Sequence, residues 1–390
     1  MNKVLLILII GLFMESCSRS NEVNVPHMPD SQKNLLKEQF EKSFDLDKSI
    51  AEDHIKKAIQ KEKILGLDFL DSDFRSTTFK LPASIETPRL VETENYFYIY
   101  NIILSKTGKN IVRYDKSGTN QITFGKKGRG PGEFTAINSI SEHEGKTYVF
   151  DNGSLKKLDQ NLEEIERKFL RLWTNNVIMN KKSYDLKLSN NKVFPFPIAN
   201  VDYETDSINF SIKDSRPGAF NFTSPNGTTF FSNDSIIVYT KTTSNIIHII
   251  SKNLPLSVTH IQLESEIIRK NESILNKKTA NKEKFFNFMN SLFLIEKLHI
   301  NKGTLWISFV DRKDSEAKNY LGKINLKDID KFEELEVKIY TAPKFLNSFN
   351  FYGDHLFFNS VNMNISEYKL FQVQLDKIQH CPRAISTEFL

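Results

Sequence analysis

The sequence contains very little cysteine: Cys17 and Cys381 are the only two cysteines in 390 residues. Two cysteines cannot form the disulfide framework of a small secreted scaffold, and they exclude a metal site built from several cysteines. The motifs H-E-x-x-H and G-x-S-x-G are also absent, so the sequence indicates neither a metalloprotease helix nor a nucleophile elbow. The fold must therefore be stabilised by packing, and local catalytic motifs suggest no reaction.

Excess charge of one sign is scarce as well. The 53 lysines and arginines nearly balance the 48 acidic residues, which leaves a formal charge of +5. Spread over this length, that charge is weak evidence for a polyanionic partner, and the basic and aromatic pattern of nucleic-acid-binding proteins is missing. We therefore expect no nucleic-acid partner. The hydrophobic fraction of 39% is ordinary for a chain that buries a core.

Long apolar runs are limited to the N-terminus, "MNKVLLILIIGLFMESC". Its apolar stretch is shorter than the ~20 residues that a spanning helix needs, and it follows a single cation, as in a secretory signal peptide. The cysteine after a short apolar run is similar to the bacterial lipoprotein signal, in which that cysteine is lipidated. We expect a signal peptide over 1–16, lipidation at Cys17 and a membrane-anchored location in the bacterial cell envelope. An ordinary signal with an incidental Cys17 is the alternative.

Two different segments are predicted before the main domain. Residues 17–30 are polar and carry two prolines, as expected of a tether between a lipid anchor and a folded body. Residues 31–66 repeat apolar side chains at four-residue spacing, for example at Phe40 and Phe44, until Gly66 stops the pattern. This spacing predicts a helical segment that packs on the main domain, and the repeat is too short for a sustained coiled coil.

Beyond Gly66 the sequence changes to short β-rich runs separated by Asn, Asp, Gly, Ser and Lys, which is typical of an all-β domain. The runs form groups of about 40 residues with four strands, the size of a β-propeller blade. Each clear group has an apolar strand, an aromatic-rich strand, a strand closed by Asp and a charged outer strand. The groups lie at 88–124, 136–170, 183–213, 228–263, 292–341 and 345–375.

The last group has only three strands, and a closed ring needs a fourth. Residues 75–83, "RSTTFKLPA", are predicted to supply it. The expected fold is thus all-β, a six-bladed β-propeller over 67–380 with a C-terminal tail at 381–390. A β-sandwich is the alternative, but it should alternate apolar and polar residues more cleanly than the runs "YFYIY", "IIVYT" and "LWISFV" do.

A helical insertion is predicted at 264–292, where Phe285, Phe286 and Met289 keep helical spacing amid Lys and Asn. It follows an outer strand, so it should emerge on the side of the disc where the chain crosses to the next blade. It would serve there as a cover or as a lid.

Two other sequence features are interpreted as structural rather than as functional sites. The three aspartates in "LDFLDSDF", residues 67–74, lack the glycine and the distal Glu of an EF-hand, which favours a solvated turn. Trp173 and Trp306 are expected in the core rather than as platforms for a sugar.

The stretch "TFGKKGRGPGEFTAI", residues 123–137, is the most unusual in the chain. Its glycines permit backbone angles closed to other residues, and Arg129 and Glu133 are near enough to hold each other or neighbouring carbonyl oxygens, so it suits a crossing between blades. It also suits an anion site, because successive glycine amides form a nest beside cations. The candidate ligand-binding residues are Lys127, Gly128, Arg129, Gly130 and Glu133.

The segment "GRGPGEF" at 128–134, followed by Val149 to Asp151 and by Leu158-Asp159, resembles the hallmark of bacterial six-bladed β-propeller lipoproteins with an NHL-like plan. The match is specific over roughly 90–170. The resemblance implies the propeller fold and the lipoprotein address, and it brings no catalytic residues.

Two functions follow from this sequence. The first is a non-enzymatic binding or scaffold module for a protein, peptide or glycan ligand, with no cofactor. The second is a hydrolase or lyase with an axial metal, Ca or Zn, or an acid–base pair at the ring axis, whose ligands would come from different blades. No catalytic residue can be named for it, and the sequence favours the binding module.

Overall fold

Short β-strands make up nearly all of the chain that the structure describes. The computed structural model describes residues 43–52, 55–66, 75–170, 174–188, 196–214, 228–253, 255–265, 267–268, 293–311, 318–327, 329–331, 333–341, 349–362 and 367–378. The predicted signal peptide, tether and C-terminal tail lie outside these residues, as does nearly all of the predicted helical insertion. The chain divides into two units after Ser43, and the elements below all belong to the second unit.

The first elements differ from the helical segment predicted for 31–66. Only α1 is helical among the described residues of that range, and residues 31–42 lie outside them. The elements up to the first full sheet are β1 (Phe44–Asp45), α1 (Leu46–Glu52), β2 (Lys56–Ile59), β3 (Leu65–Gly66) and β4 (Arg75–Lys80).

The next strands form two antiparallel sheets of four strands each. Sheet 1 contains β5 (Pro88–Glu92), β6 (Tyr96–Asn101), β7 (Ile111–Asp115) and β8 (Gln121–Phe124). The two short strands β9 (Lys126–Lys127) and β10 (Glu133–Phe134) pair with each other. Sheet 2 contains β11 (Ile137–His143), β12 (Lys146–Asp151), β13 (Ser154–Leu158) and β14 (Glu164–Phe169).

The same antiparallel order continues along the chain. Sheet 3 contains β15 (Thr174–Met179), β16 (Ser183–Leu188), β17 (Ile198–Asp202) and β18 (Ile208–Lys213). Sheet 4 contains β19 (Thr228–Ser232), β20 (Ile236–Lys241), β21 (Ile246–Ser251) and β22 (Ser257–Glu264). Sheet 5 contains β23 (Phe293–Asn301), β24 (Thr304–Asp311), β25 (Lys318–Asn325) and β26 (Glu334–Thr341). Sheet 6 contains β27 (Phe349–Tyr352), β28 (His355–Asn362), β29 (Glu367–Gln374) and β4, and a 3-10 helix follows at Leu375–Lys377.

The fourth strand of sheet 6 comes from the other end of the sequence. β4 pairs antiparallel with β29, with Lys80 opposite Glu367 and Arg75 opposite Gln372. The pairing predicted for residues 75–83 is therefore confirmed. A sheet assembled from both ends of a chain closes a circular arrangement without leaving the edge of its third strand exposed.

Turn chemistry fixes where the strands end. The third strands of sheets 1, 2 and 3 end at or beside an aspartate whose carboxylate accepts backbone amide hydrogen bonds from the following turn: Asp115 from Ser117 at 3.1 Å, Asp159 from Asn161 at 2.9 Å and Asp202 from Glu204 at 3.0 Å. This is the Asx-turn that gives aspartate its preference for such positions. It explains why the sequence repeats an Asp at the end of a strand.

Neighbouring sheets pack face to face around shared apolar clusters. Tyr98 and Tyr100 of sheet 1 belong to the cluster shared with sheet 2, whereas Phe97 and Ile99 belong to the cluster shared with sheet 6. Successive residues of a strand point to opposite faces, so a strand buried on both sides needs a continuous apolar run. Similar clusters join sheets 3 and 4, sheets 4 and 5, and sheets 5 and 6.

Sheets 2 and 3 meet through polar and aromatic contacts. The rings of Tyr148 and Tyr203 lie edge to face at 6.1 Å, and Ser139 bonds to the backbone of Val177. Each sheet thus contacts the next, and sheet 6 contacts sheet 1. The first strands also touch one another, β11 with β15, β19 with β23 and β23 with β27. Sheets stacked in this way with their first strands innermost form a β-propeller.

The segment predicted as helical has become part of the sheets for a physical reason. β1 pairs parallel with β18, β3 pairs parallel with β26, and β2 lies between β22 and β26 and pairs parallel with both. Outer strands present unpaired backbone groups, and pairing them outweighs the helical preference of a short apolar repeat. Ala58 of β2 is fully buried in the core that sheets 4 and 5 share.

Candidate functional site

The glycine-rich stretch lies between sheets 1 and 2, where the chain crosses from the outer strand β8 to the first strand β11. β9 and β10 pair in parallel, with Lys126 opposite Glu133, and close the stretch into a compact loop. The amide of Gly128 donates to the carbonyl oxygen of Phe134 at 2.9 Å. The expected crossing between two neighbouring sheets is confirmed.

Carboxylates of the chain already accept hydrogen bonds from two of the backbone amides that an anion nest would use. Gly130 donates its amide to Glu133 Oε2 at 2.8 Å, and Gly132 donates to Glu164 Oε2 at 2.9 Å. A Cβ at residue 128 would clash with Glu133 Oε2, so a larger residue there would displace that carboxylate. The negatively charged groups that these amides bind are therefore Glu133 and Glu164 of the chain itself.

Arg167 of β14 braces the loop from sheet 2. Its guanidinium donates to the carbonyl oxygens of Arg129 at 3.0 Å and of Gly130 at 2.9 Å, and it also donates to both carboxylate oxygens of Glu164. Burial opposes the charge of Glu164, but the hydrogen bonds from Arg167 and Gly132 outweigh that effect and lower the pKa of its carboxyl. The bracing cation is therefore Arg167.

A buried lysine supports the loop from beneath. Lys156 Nζ lies 2.7 Å from Asp151 Oδ2, donates to the carbonyl oxygen of Glu133 and stands 4.5 Å from the centroid of the Phe134 ring. The other oxygen of Asp151 accepts the amide of Ala136 at 2.7 Å. Both side chains of the pair are almost fully buried, at 2% and 4% exposure.

The predicted ligand-binding residues are close in space, but they do not form a pocket of converging cations. The side chains of Lys127 and Arg129 are exposed, and among the described residues no carboxylate lies within ion-pair distance of Arg129. Glu133 instead accepts the amide of Gly130. The proposed Arg129–Glu133 bracing is not present in this structure.

A second group of cations lies on the inner strands and was not anticipated from the sequence. Arg89 is the second residue of β5, and Lys297 is in β23 just after a bulge at Glu296. Lys187 of β16 stands opposite Asn176, near the beginning of β15. These residues come from sheets 1, 3 and 5, and they are called here the axial cation cluster.

The charges of the three side chains influence one another. Burial, together with the positive charges of Lys297 and Arg89, lowers the pKa of Lys187 to about 8. Burial and the charge of Arg89 lower the pKa of Lys297 to about 8, while Glu296 acts in the opposite direction. Side chains of three different sheets are therefore close enough for their charges to interact.

Hydroxyl groups without partners accompany these cations. Among the described residues, the buried Tyr100 hydroxyl and the buried Thr228 Oγ1 have no hydrogen-bond partner. Burial raises the pKa of Tyr100, and the charge of Arg89, its cross-strand neighbour, acts in the opposite direction. Thr229 donates to the carbonyl oxygen of Glu296 at 3.0 Å and so links the inner strands of sheets 4 and 5.

The axial cation cluster lies at one end of the ring. Each first strand begins where a connection arrives from the preceding outer strand, and we call this end the crossover end. Arg89 and Thr228 are at the beginning of β5 and β19, and the loop at 125–136 enters β11 at the same end. The glycine-rich loop and the cluster therefore share the crossover end.

The opposite end carries carboxylates. Glu92, the last residue of β5, accepts a hydrogen bond from Lys116 at 2.6 Å, yet burial raises its pKa to about 7. Its Oε2 atom is buried without a partner among the described residues. Glu142 near the end of β11 accepts hydrogen bonds from Thr93 Oγ1 at 2.7 Å and from Asn95. Glu92 and Glu142 therefore lie at the end of the ring opposite to Arg89.

The remaining sequence predictions have separate outcomes. Trp306 is 2% exposed in the core between sheets 5 and 6, which confirms its assignment to the core. Trp173 and all of residues 67–74, including the three aspartates, lie outside the described residues. Within the residues that the structure describes, no group of three or more His, Cys, Asp and Glu side chains is placed to hold a metal ion. No described helix has the length and apolarity to cross a bilayer.

Known structures share this fold. A candidate exported protein of Bacteroides fragilis matches with a TM-score of 0.54 and 13% identity, over 82% of this chain and 99% of that one. A member of the DUF4221 family from Bacteroides vulgatus matches with a TM-score of 0.52 and 11% identity, over 79% and 97% of the two chains. At these identities the likeness concerns the fold alone. Neither protein-family models nor curated protein sequences match this chain.

Proposed function

We propose that this chain is an exported lipoprotein whose six-bladed β-propeller binds a protein, peptide or glycan ligand in the bacterial cell envelope. Six antiparallel sets of four strands among the described residues, and the pairing of β4 with β29, support six blades in a closed ring. The N-terminal sequence supports export, with lipid attached at Cys17 and residues 17–30 as the tether.

The observation that carries a binding role is that Arg89 and Lys297, two cations from different sheets, are close enough at the crossover end for their charges to interact. Like charges that lie close together repel each other and destabilise the fold. Their presence therefore indicates that they serve a function, here the binding of a ligand. The exposed Lys127 and Arg129 lie at the same end, and we propose that they contact the periphery of the ligand. Gly128, Gly130 and Glu133 then shape the loop that carries them.

An enzyme is the second candidate, and Glu92 favours it. A buried carboxyl group with a pKa of about 7 and one unpartnered oxygen has the properties of a general acid or base. A hydrolase or lyase with this residue would act at the opposite end of the ring. Loss of a measured hydrolytic activity in Glu92→Gln, without loss of ligand binding at the crossover end, would support this candidate.

Hydrogen–deuterium exchange with a bound ligand tests the binding function. The mature chain is first melted against a panel of glycans, acidic peptides and small anions, since a ligand that binds the folded state raises the melting temperature. With the best stabiliser, we expect new protection at the beginnings of β5, β15, β19 and β23 and in residues 125–136. Protection confined to the opposite end or to the outer strands would contradict a ligand site at the crossover end.

A further inference from the structure

Two buried histidines lie between sheet 4 and α1. His248 of β21 and His260 of β22 are cross-strand partners, and their Nδ1 atoms are 2.8 Å apart. The Nε2 atom of His260 is 2.8 Å from the Oγ atom of Ser49, in the middle of α1. Both imidazoles are fully buried, and Ser49 is buried as well. The histidine pair therefore links α1 to the outer strand of sheet 4.

The distance between the two Nδ1 atoms limits the number of protons that the pair can hold. A hydrogen bond between two imidazole nitrogens needs one donor and one acceptor, so one Nδ1 atom carries a proton and the other presents its lone pair. If both imidazoles were charged, two N–H groups would face each other at this distance and the bond would be lost. Even a single added charge would be buried away from water, which costs free energy. The docked arrangement therefore favours neutral histidines.

The groups around the pair do not offset an added positive charge. From β20, Tyr239 stacks on His248 with ring centroids 5.8 Å apart and donates its hydroxyl to Asp214, which pairs with Lys241 at 3.1 Å. The other charged residues that the structure describes on the elements of the pair and on those packed against it are Asp47 and Lys48 of α1, Lys56 and Lys57 of β2, and Glu264 of β22. Cations outnumber carboxylates in this set, so it has no excess negative charge to stabilise a protonated histidine.

α1 can separate from the sheets more easily than a strand inside a sheet can. It has seven residues, and β1 and β2 on either side of it are held to sheets 3 and 4 by parallel pairings of two and four residues. Elements with few hydrogen bonds to the rest of the fold open at a lower free energy than core strands do. Departure of α1 removes the contact of Ser49 with His260 and gives water access to the imidazoles.

We propose that His248 and His260 form a pH-sensitive latch, which holds α1 on sheet 4 while both histidines are neutral and releases α1 with β1 when acid protonates them. A hydrated imidazole takes up its proton at about pH 6.5. Because the released state binds protons that the docked state excludes, docking is strongest above this pH and weakens as the pH falls below it. The latch goes beyond ligand binding, since it controls the N-terminal elements.

Hydrogen–deuterium exchange of the mature chain at pH 7 and pH 5, corrected for the intrinsic effect of pH on exchange, tests the latch. Opening of β1 and α1 should increase by about 25-fold at pH 5 if one histidine is protonated only in the released state, and by about 600-fold if both are. The amides of β24 and β28 should keep their protection. Unchanged opening of β1 and α1, or an equal loss of protection in all strands, would overturn the proposal.

Variants assign the response to the pair. The double variant His248→Gln/His260→Gln has neither imidazole, so β1 and α1 should open equally at the two pH values. His355→Gln is the matched control, because His355 is a partly exposed histidine of sheet 6, and it should keep the wild-type response. A wild-type response in the double variant would refute the latch.

A second variant decides the matter if the double variant does not fold. Ser49→Ala keeps both histidines and removes the hydrogen bond between α1 and His260, so opening of α1 at pH 7 should increase about threefold or more. Unchanged opening in Ser49→Ala would show that the histidine pair does not hold α1, and the proposal would be wrong.

Discussion

The guanidinium of Arg167 donates a hydrogen bond to the carbonyl oxygen of Gly130 at 2.9 Å, and this contact ties sheet 2 to the loop that precedes it. The sequence predicts that Arg129 and Glu133 hold each other or neighbouring carbonyl oxygens of the loop. Instead, a strand more than thirty residues later supplies the cation, and Arg129 is left exposed at the surface.

Replacing Arg167 should therefore destabilise the fold, whereas replacing Arg129 should not. Arg167→Ala removes donors to two carbonyls and to Glu164, and we expect a loss of about 2–3 kcal/mol in the free energy of unfolding. Arg129→Ala should leave the urea midpoint nearly unchanged. Urea denaturation followed by circular dichroism measures both. The reverse order of the two effects would refute the bracing assigned to Arg167.

The buried pair of Lys156 and Asp151 gives a second prediction. Lys156→Met leaves the carboxylate of Asp151 buried without its cation, which should cost about 3–5 kcal/mol. The neighbouring Lys157→Met, whose ammonium is 3.7 Å from a half-exposed Glu166, should cost far less. Comparable losses in the two variants, measured by thermal melting, would contradict a dominant role for the buried pair.

Truncation tests the role of the N-terminal strands. A mature chain that begins at Phe44 keeps β1, β2 and β3 on sheets 3, 4 and 5, so it should remain folded and monomeric. A chain that begins at residue 67 exposes the edges of β18, β22 and β26 and should aggregate. Light scattering of the two purified chains distinguishes these outcomes. Equal solubility would show that the added parallel strands are dispensable.

The lysines of the axial cation cluster predict how stability depends on pH. Their pKa values of about 8 lie below the ordinary lysine value, so between pH 8 and 10 the unfolded state holds protons that the folded state has lost. Stability should therefore rise with pH across this window. Among the described residues, Arg89 lowers both pKa values, Lys297 lowers that of Lys187, and Glu296 raises that of Lys297. Lys297→Met should reduce the rise in the urea midpoint, and an unchanged rise would contradict the low pKa of Lys297.

Lipid attachment is tested directly. Labelled fatty acid should enter the wild-type chain and not Cys17→Ala, and the variant should leave the membrane fraction. The several acyl chains of a lipoprotein hold it firmly, whereas their loss removes the anchor. Equal membrane retention of wild type and variant would refute lipidation at Cys17.

The fold was predictable where a pattern is local or repeated. Asp115 and Asp159 close strands through Asx-turns, and such turns are visible in the sequence as recurring aspartates. The missing strand of the last group led to residues 75–83, of which 75–80 pair with β29, because a closed ring must complete every sheet. By contrast, the four-residue spacing before Gly66 predicts a helix, since the sequence does not show that two sheet edges are available to pair with β2.

The candidate site was largely hidden from sequence reasoning. Arg167 and Lys156 act on a loop far from them in the chain, so no spacing connects them with Gly130 or Glu133. Arg89, Lys187 and Lys297 belong to three different sheets and share no motif. Only the ring brings them together, whereas the glycine-rich stretch attracted attention because its cations are adjacent in sequence.

The most direct test of the account is an experimental structure of the mature chain with the ligand that stabilises it best. The account predicts six four-stranded blades in a closed ring, with β4 completing the sheet of β27, β28 and β29, and the ligand in contact with the crossover end. A different number of blades, or a ligand bound at the opposite end, would contradict it.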